Sequence, residues 1–384
     1  MTDSNTEASG VLTKTSPANH VFFSALDGLR AVALFCVFLL HYVSTRLPVS
    51  WGWIGVDIFF VLSGFLITGI LWDTRNAPNR LYNFYIRRTL RIFPLFYAIW
   101  LLVLLAAPFA HWDWNGWWTL WPLYIGNALL LFPHTGTATV GILHSTTHPW
   151  AVFDLGHLWS LAVEEQFYLA WPFVVYSVRN RTWLIRTCVA VMVIVPIARC
   201  FAAHLIPAHA IAASGVYYFT PFRMDALLWG AWIALVYRGA SRERLLRSAW
   251  WGILAVFVAF AGYAAVGHLI ASNGAELWRV SAKFFLADAL AACILLLAIQ
   301  PHTVVFKALN TAWLRWIGRL TYGGYVYHMF IKLLIDKTIG KHFHDPTYPD
   351  AIIGAVLTVL IAWASFRYFE SFFIRAKDRL TRRS

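Results

Sequence analysis

The chain has 384 residues, of which 60% are hydrophobic, 17% aromatic and only 13% charged, with a formal net charge of +13. Mean hydropathy is +0.61, and apolar runs of about 20 residues recur along the whole length, leaving no room for a sizeable soluble domain. The positive charge does not mark a nucleic-acid binder, because it lies in patches between the apolar runs, at Arg75 to Arg91, Arg179 to Arg186, Arg238 to Arg247, Lys307 to Arg319 and Arg375 to Arg383, as expected of cytoplasmic loops.

Residues 1–24 are polar and carry neither a basic n-region nor a short apolar core with a cleavage site. They are read as a disordered cytoplasmic tail rather than a signal peptide. Crossings are expected at about 29–46, 52–72, 92–110, 157–177, 183–203, 217–238, 250–270, 283–300, 316–338 and 349–370, which puts both termini in the cytoplasm. The apolar stretch 116–132 would invert everything after it if it crossed; as a re-entrant or interfacial segment it keeps every basic cluster inside, and its tryptophans suit an interface. The predicted fold is therefore an all-α polytopic membrane protein, a bundle of about ten transmembrane helices with that one additional segment. Residues 25–370 form its single integral-membrane domain and 371–384 a basic cytoplasmic tail. Cys36, Cys188, Cys200 and Cys293 all fall in apolar stretches without metal-like spacing and are read as small hydrophobes.

Polar residues inside apolar spans are expensive and mark candidate sites. In the first span Arg30 and His41 lie eleven positions apart, three helical turns plus about 20°, which would put both on one face roughly 16 Å apart. Asp57 stands near the outer end of the second span and needs a partner or water. Arg88 and Arg91, beside Arg87, share a face just before Pro94; positive-inside anchoring accounts for such a cluster, and an anion site for a diphosphate or phosphomonoester is the functional alternative. The fourth span begins with His157, Glu164, Glu165 and Gln166, and adjacent carboxylates there should point into the bundle. His328 sits half-way along a late span, beyond Arg319, Gly323 and Gly324, where a structural hydrogen bond is as good a reading as a functional one. His144, His148 and Asp154 do not complete a ligand set and no HExxH occurs, so no metal is expected.

Five stretches in order, "LDGLRAVALFCVFLLHY", "WIGVDIFFVLSGFLI", "FYIRRTLRIFPLFY", "HLWSLAVEEQFYLAWP" and "IGRLTYGGYVYH", resemble the integral-membrane acyltransferase 3 family, bacterial O-acyltransferases of surface and secreted sugars. The resemblance runs from about Ala25 to Phe369. It implies a bacterial, multi-pass protein of the cytoplasmic membrane that takes an acyl group, commonly acetyl, from cytoplasmic acyl-CoA as donor substrate, with no tightly bound cofactor, and delivers it to a carbohydrate hydroxyl. Carried over by motif, the family's first-span Arg and His fall on Arg30 and His41, its paired arginines on Arg88 and Arg91, and its acid on Glu164; Glu165 occupies a freer position. Where the family more often has Ser-Tyr-x-x-Tyr-Leu, this chain has Thr321 and Tyr322, two glycines at the free positions, then Tyr325 and Val326, while keeping His328. Some members add an extracytoplasmic hydrolase-like domain; this chain reads as the stand-alone membrane type.

On this reading Arg30, Arg88 and Arg91 bind the donor. His41 and Glu164 are catalytic, with Asp57, His157, Glu165 and His328 supporting. His41 would be a general base or a transient acyl carrier, the first being preferred. Glu164 would orient the imidazole, bind the sugar or accept its proton. The expected partners are acyl-CoA, a cell-envelope polysaccharide or lipid-linked sugar, and the bilayer. Acylation of a small secreted metabolite such as a macrolide sugar is the enzymatic alternative. A transporter with a buried His/Glu/Arg relay is the alternative of another class.

Overall fold

The computed structural model describes residues 23–43, 50–112, 120–129, 142–144, 152–205, 217–269, 276–338 and 348–381. Helix α1 (Ala25–Phe38) runs on into a π-turn (Leu39–Val43), and α2 (Ile54–Asp73) and α3 (Arg80–Ala110) follow. A four-residue helix α4 (Gly126–Leu129) and an antiparallel ribbon of β1 (Ile142–His144) and β2 (Val152–Asp154) precede α5 (Trp159–Ser177) and α6 (Arg181–Leu205). Then come α7 (Met224–Tyr237), α8 (Arg242–Leu269), α9 (Glu276–Ala298), α10 (Val304–Leu309), α11 (Ala312–Thr338), α12 (Tyr348–Ser365) with a second π-turn (Phe366–Glu370), and α13 (Ser371–Leu380).

Among the described residues, seven stretches are long and apolar enough to cross a membrane: Ala25–Val43, Trp51–Asp73, Arg80–Ala110, Arg181–Ala202, Arg242–Ala265, Ser281–Ala298 and Pro349–Lys377. The chain is thus a polytopic helical membrane protein. Three further crossings were expected at α5, α7 and α11, and a helix stands at each. However, α7 has only 14 residues, about 21 Å against a hydrocarbon core of about 30 Å. Both α5 and α11 carry many polar side chains, Glu164, Glu165 and Gln166 on one and Arg315, Arg319 and His328 on the other. The residues that make these two helices chemically interesting also dilute their hydropathy.

The exposed side chains explain themselves only in lipid. Leu101, Leu102, Leu104 and Leu105 on α3, Val193, Ile194 and Phe201 on α6, Trp251, Phe257 and Val258 on α8, and Ile352, Val356 and Leu360 on α12 are all exposed, far more apolar surface than a water-facing helix tolerates. By contrast α2, apolar all round, is enclosed by α1, α5, α7 and α9, the usual fate of such a helix.

The extra segment is partly visible. Within 120–129 the chain makes a turn, with Tyr124 at φ 57°, and then only α4, so those ten residues do not run as one straight span. Gln166 holds them to α5 by donating to Tyr124 O (2.6 Å) and Asn127 Oδ1 (3.0 Å). The first 22 residues, His148, and Trp117 and Trp118 of the extra segment lie outside the described residues. The expected all-α bundle carries one short ribbon, and the basic tail after 370 begins as α13.

Helices α2 and α7 meet at backbone contact. A Cβ on Gly64 would stand 1.8 Å from Leu227 O, and one on Gly230 1.9 Å from Val61 O. Each glycine thus receives the other helix's backbone, a packing mode common in membranes. At the cytoplasmic ends expected for the same helices, Arg238 donates to both oxygens of Asp73 at 2.7 Å. Gly64→Val should force the two helices apart at a cost of roughly 1–3 kcal/mol and lower the thermal midpoint of the detergent-purified protein by several degrees; an unchanged midpoint would show that the contact is not tight.

Candidate active site

A cavity of about 100 Å³ opens between α1, α2, α3, α5 and α11. From α2 it takes Val56, Phe59, Phe60, Ser63 and Ile67, so its wall extends about 16 Å along that helix. Apolar side chains therefore line its length. Polar groups gather at defined places: Arg30 from α1, Arg88 and Arg91 from α3, Glu164 and Tyr168 from α5.

The arginines arrive by simple helical geometry. Arg88 and Arg91 are three apart on α3, hence on one face, and Arg30, in the second turn of α1, is held by Asp27 at 2.6 Å. Among the described residues neither Arg88 nor Arg91 forms an ion pair. Arg88 lies over the Tyr168 ring at 5.5 Å. The single carboxylate in the cavity is fully engaged elsewhere: Ser63 Oγ donates to Glu164 Oε1 at 2.8 Å and Tyr168 OH to Oε2 at 2.9 Å. Two guanidiniums without an ion pair, Arg88 and Arg91, beside Arg30 already held by Asp27, in an apolar enclosure, make a site for an anion with a hydrophobic extension.

His41 is not in that cavity. The π-turn at Leu39–Val43 breaks the 3.6-residue register, so the face shared with Arg30 in a straight helix is not kept; such turns are common at functional positions. His41 instead packs against His328, ring centroids 4.9 Å apart, and His328 against His157 at 5.1 Å. Backbone carbonyls fix the tautomers, since a carbonyl can only accept. Val37 O lies 3.0 Å from His41 Nδ1, Tyr325 O 2.5 Å from His328 Nδ1, and Val326 O 3.1 Å from His157 Nε2. In its neutral form His41 therefore carries its proton on Nδ1 and offers the Nε2 lone pair, as a general base must. Among the described residues no group of three His, Cys, Asp or Glu side chains has metal-binding geometry.

One residue joins the two places. Tyr325 lines the cavity, and its ring lies 5.3 Å from His328 and 6.0 Å from His157. Its hydroxyl accepts from Ser160 Oγ at 2.5 Å and donates to His157 O at 2.8 Å. Arg30, Arg88, Arg91 and Glu164 are thus brought together, as are His41, His157 and His328, with the Ser160–Tyr325 pair between the two groups.

Glu165 and Asp57 belong to neither. Glu165 lies off the cavity, its Oε1 buried and unbonded. Asp57 is fully buried and paired with Arg223. Beside the ribbon, burial pushes the Asp154 carboxyl above the usual range, opposed by the Gly156 N–H at 2.7 Å and by Lys332. Sequence reasoning missed Ser63, Tyr168, Ser160 and Tyr325, whose hydroxyls read as ordinary span residues, and Arg199, Arg223, Asp225 and Asp288, which are charges inside apolar runs and could have been found as such.

The family described as the acyltransferase domain matches residues 23–367. Similar proteins include the peptidoglycan O-acetyltransferase OatA of Listeria monocytogenes, 29% identical over 93% of this chain and 57% of its own length. The putative peptidoglycan O-acetyltransferase YrhL of Bacillus subtilis is 29% identical over 92% of this chain and 55% of its own length, and the O-acetyltransferase OatA of Staphylococcus aureus 27% over 91% and 57%. The chain thus spans a little over half the length of these relatives. No solved structure matches it.

Hydrogen bonds to an ionised group contribute about 1.5–3 kcal/mol, so Tyr168→Phe and Ser63→Ala should each lower turnover about tenfold or more by freeing one Glu164 oxygen. The double variant should lose less than the product of the two, because both act on one carboxylate; fully multiplicative losses in a steady-state assay would contradict this shared role.

Proposed function

Because the chain belongs to the acyltransferase 3 family, we propose that it is a membrane-embedded O-acetyltransferase, carrying an acetyl group from cytoplasmic acetyl-CoA to a hydroxyl of a cell-envelope polysaccharide. The observation that carries this reading is the cavity in which Arg88 and Arg91 stand without an ion pair among the described residues, beside Arg30 held by Asp27 and Glu164 held by Ser63 and Tyr168. A phosphorylated donor supplies the missing negative charge, and the apolar wall along α2 suits its extended arm. The names of the similar proteins, O-acetyltransferases of bacteria, two of them described as acting on peptidoglycan, favour acetyl as the group and a cell-wall glycan as the acceptor.

With α5, α7 and α11 counted beside the seven apolar stretches, the chain crosses the bacterial cytoplasmic membrane ten times and both ends face the cytoplasm. The basic clusters between the spans support that orientation. Arg88 and Arg91 then stand at the cytoplasmic mouth.

Chemically, His41 Nε2 takes the proton of the sugar hydroxyl as its oxygen attacks the thioester carbonyl. The carbon–sulfur bond breaks, the ester oxygen–carbon bond is complete, and the CoA thiolate receives the proton. Glu164, held by Ser63 and Tyr168 beside the arginines, offsets part of their charge while the donor is away. Tyr325 stands between the cavity and the imidazole, so its contact with Ser160 opens during the cycle to let the thioester meet the base.

Arg88→Ala and Arg91→Ala should each weaken equilibrium binding of coenzyme A to the purified protein by about tenfold or more, the loss of one charge-assisted contact. The corresponding Lys variants should recover only part of it, since an ammonium lacks the forked geometry. Unaltered binding in both alanine variants would remove the donor site from this cavity.

A further inference from the structure

The face of α3 that carries Arg88 and Arg91 continues beyond the cavity. Arg80, Phe84, Arg88 and Arg91 stand at i, i+4, i+8 and i+11, so they share that face, and Arg80 lies about 12 Å from Arg88 along the axis. Helix α5 runs antiparallel beside them. Arg88 lies over the Tyr168 ring at 5.5 Å and Arg80 over the Tyr176 ring at 4.5 Å, and between these contacts Tyr85 OH donates to Leu169 O at 2.9 Å. An arginine on a tyrosine thus recurs after eight residues on both helices.

Arg80 is braced on its other side as well. Its Nη1 donates to Arg75 O in the turn that joins α2 to α3, and Arg75 Nη1 donates at 3.2 Å to Arg179 O, just past the end of α5. Arg75 itself lies over the Trp72 ring at 4.1 Å. Both arginines are half-buried, and among the described residues neither forms an ion pair. Asp73, the acid nearest to them in sequence, gives both its oxygens to Arg238 at 2.7 Å. Positive-inside anchoring asks only for basic side chains in a loop. It does not ask that two guanidiniums be set over aromatic rings and braced by carbonyls without an acid. A ring face steadies a guanidinium and leaves its N–H edge for an oxyanion.

The order of these groups matches the order of groups in one kind of molecule. Arg75 and Arg80 come first, at the end of the bundle, then Arg88 and Arg91, then the apolar wall of Val56, Phe59 and Phe60. A coenzyme A thioester carries in sequence a ribose 3′-phosphate, a diphosphate and an extended arm that ends in the acyl group. We infer that Arg80, with Arg75, forms a second anion subsite, which takes the ribose 3′-phosphate of the donor while Arg88 and Arg91 take its diphosphate. The subsite depends on the proposed donor being acyl-CoA, and it uses residues outside the five motifs shared with the family. It makes the protein distinguish the donor from the same thioester without that phosphate.

The experiment is isothermal titration calorimetry of the full chain in lipid nanodiscs with two probes, coenzyme A and 3′-dephospho-coenzyme A, which differ by that one phosphate. The wild type should bind coenzyme A about tenfold or more tightly than the dephospho form, the contribution of a charge-assisted contact. Arg80→Gln should lose most of this preference while binding the dephospho form as the wild type does, which also shows that the variant is folded. Arg75→Gln should lower the preference in the same direction. Arg88→Ala, by contrast, should weaken both probes by the same factor. Equal affinity of the wild type for the two probes, as expected if these arginines serve lipid phosphates alone, would overturn the subsite and leave the donor reading standing. So would an undiminished preference in Arg80→Gln, or an equal loss of both probes in Arg75→Gln and Arg80→Gln. Binding of neither probe to the wild type would remove the donor reading and the subsite together.

Discussion

A charge placed in hydrocarbon costs more than a typical fold is worth unless the protein provides its partner, and the architecture follows from meeting that condition around α2. One side of the helix presents Val56, Phe59, Phe60, Ser63 and Ile67 to the cavity; another presents Asp57 to Arg223. Its glycine at 64 lets α7 approach to backbone contact, which brings the Arg223 and Asp225 end of α7 into the same layer. The apolar content of α2 makes it a span, but the few polar residues on it decide which helices surround it.

The same condition divides the working part of the bundle in two. Guanidiniums collect on one side, where Arg91 remains exposed. Imidazoles collect deeper, each with one nitrogen committed to a backbone carbonyl. A neutral imidazole costs far less in hydrocarbon than a charged group, and Tyr325, bonded to Ser160 and to His157 O, stands between the arginines and the imidazoles. The proposed reaction, between a cytoplasmic donor and an envelope acceptor, would need such a division, since an open path would leak water and ions.

Much of this was legible in the residues. Charges and histidines inside apolar runs identified Arg30, His41, Arg88, Arg91, Glu164, His157 and His328, because hydrocarbon makes each of them costly without a use. Their grouping was not legible. The 100° rule put His41 with Arg30, and only the π-turn at Leu39–Val43 turns it toward His328 instead; nothing in "FLLHYV" announces that extra residue in the turn. Asp57 was seen to need a partner, yet the partner lies 166 residues away at Arg223, a long-range pairing that no local pattern reports. Hydropathy located the spans that face lipid and understated α5 and α11, the two that carry most of the site. Five motifs in order identified the family, and its match over 23–367 bears that out.

The measurement that bears most directly on the account follows label from radiolabelled acetyl-CoA, supplied on the cytoplasmic side of sealed membrane vesicles, into ester-linked acetyl on the polysaccharide fraction, for wild type and His41→Gln at equal expression. The account predicts base-labile label on the glycan with the wild type and its loss with His41→Gln, coenzyme A binding being retained because His41 lies outside the arginine cavity. Equal labelling by the two proteins, or acetate movement without any ester, would contradict it.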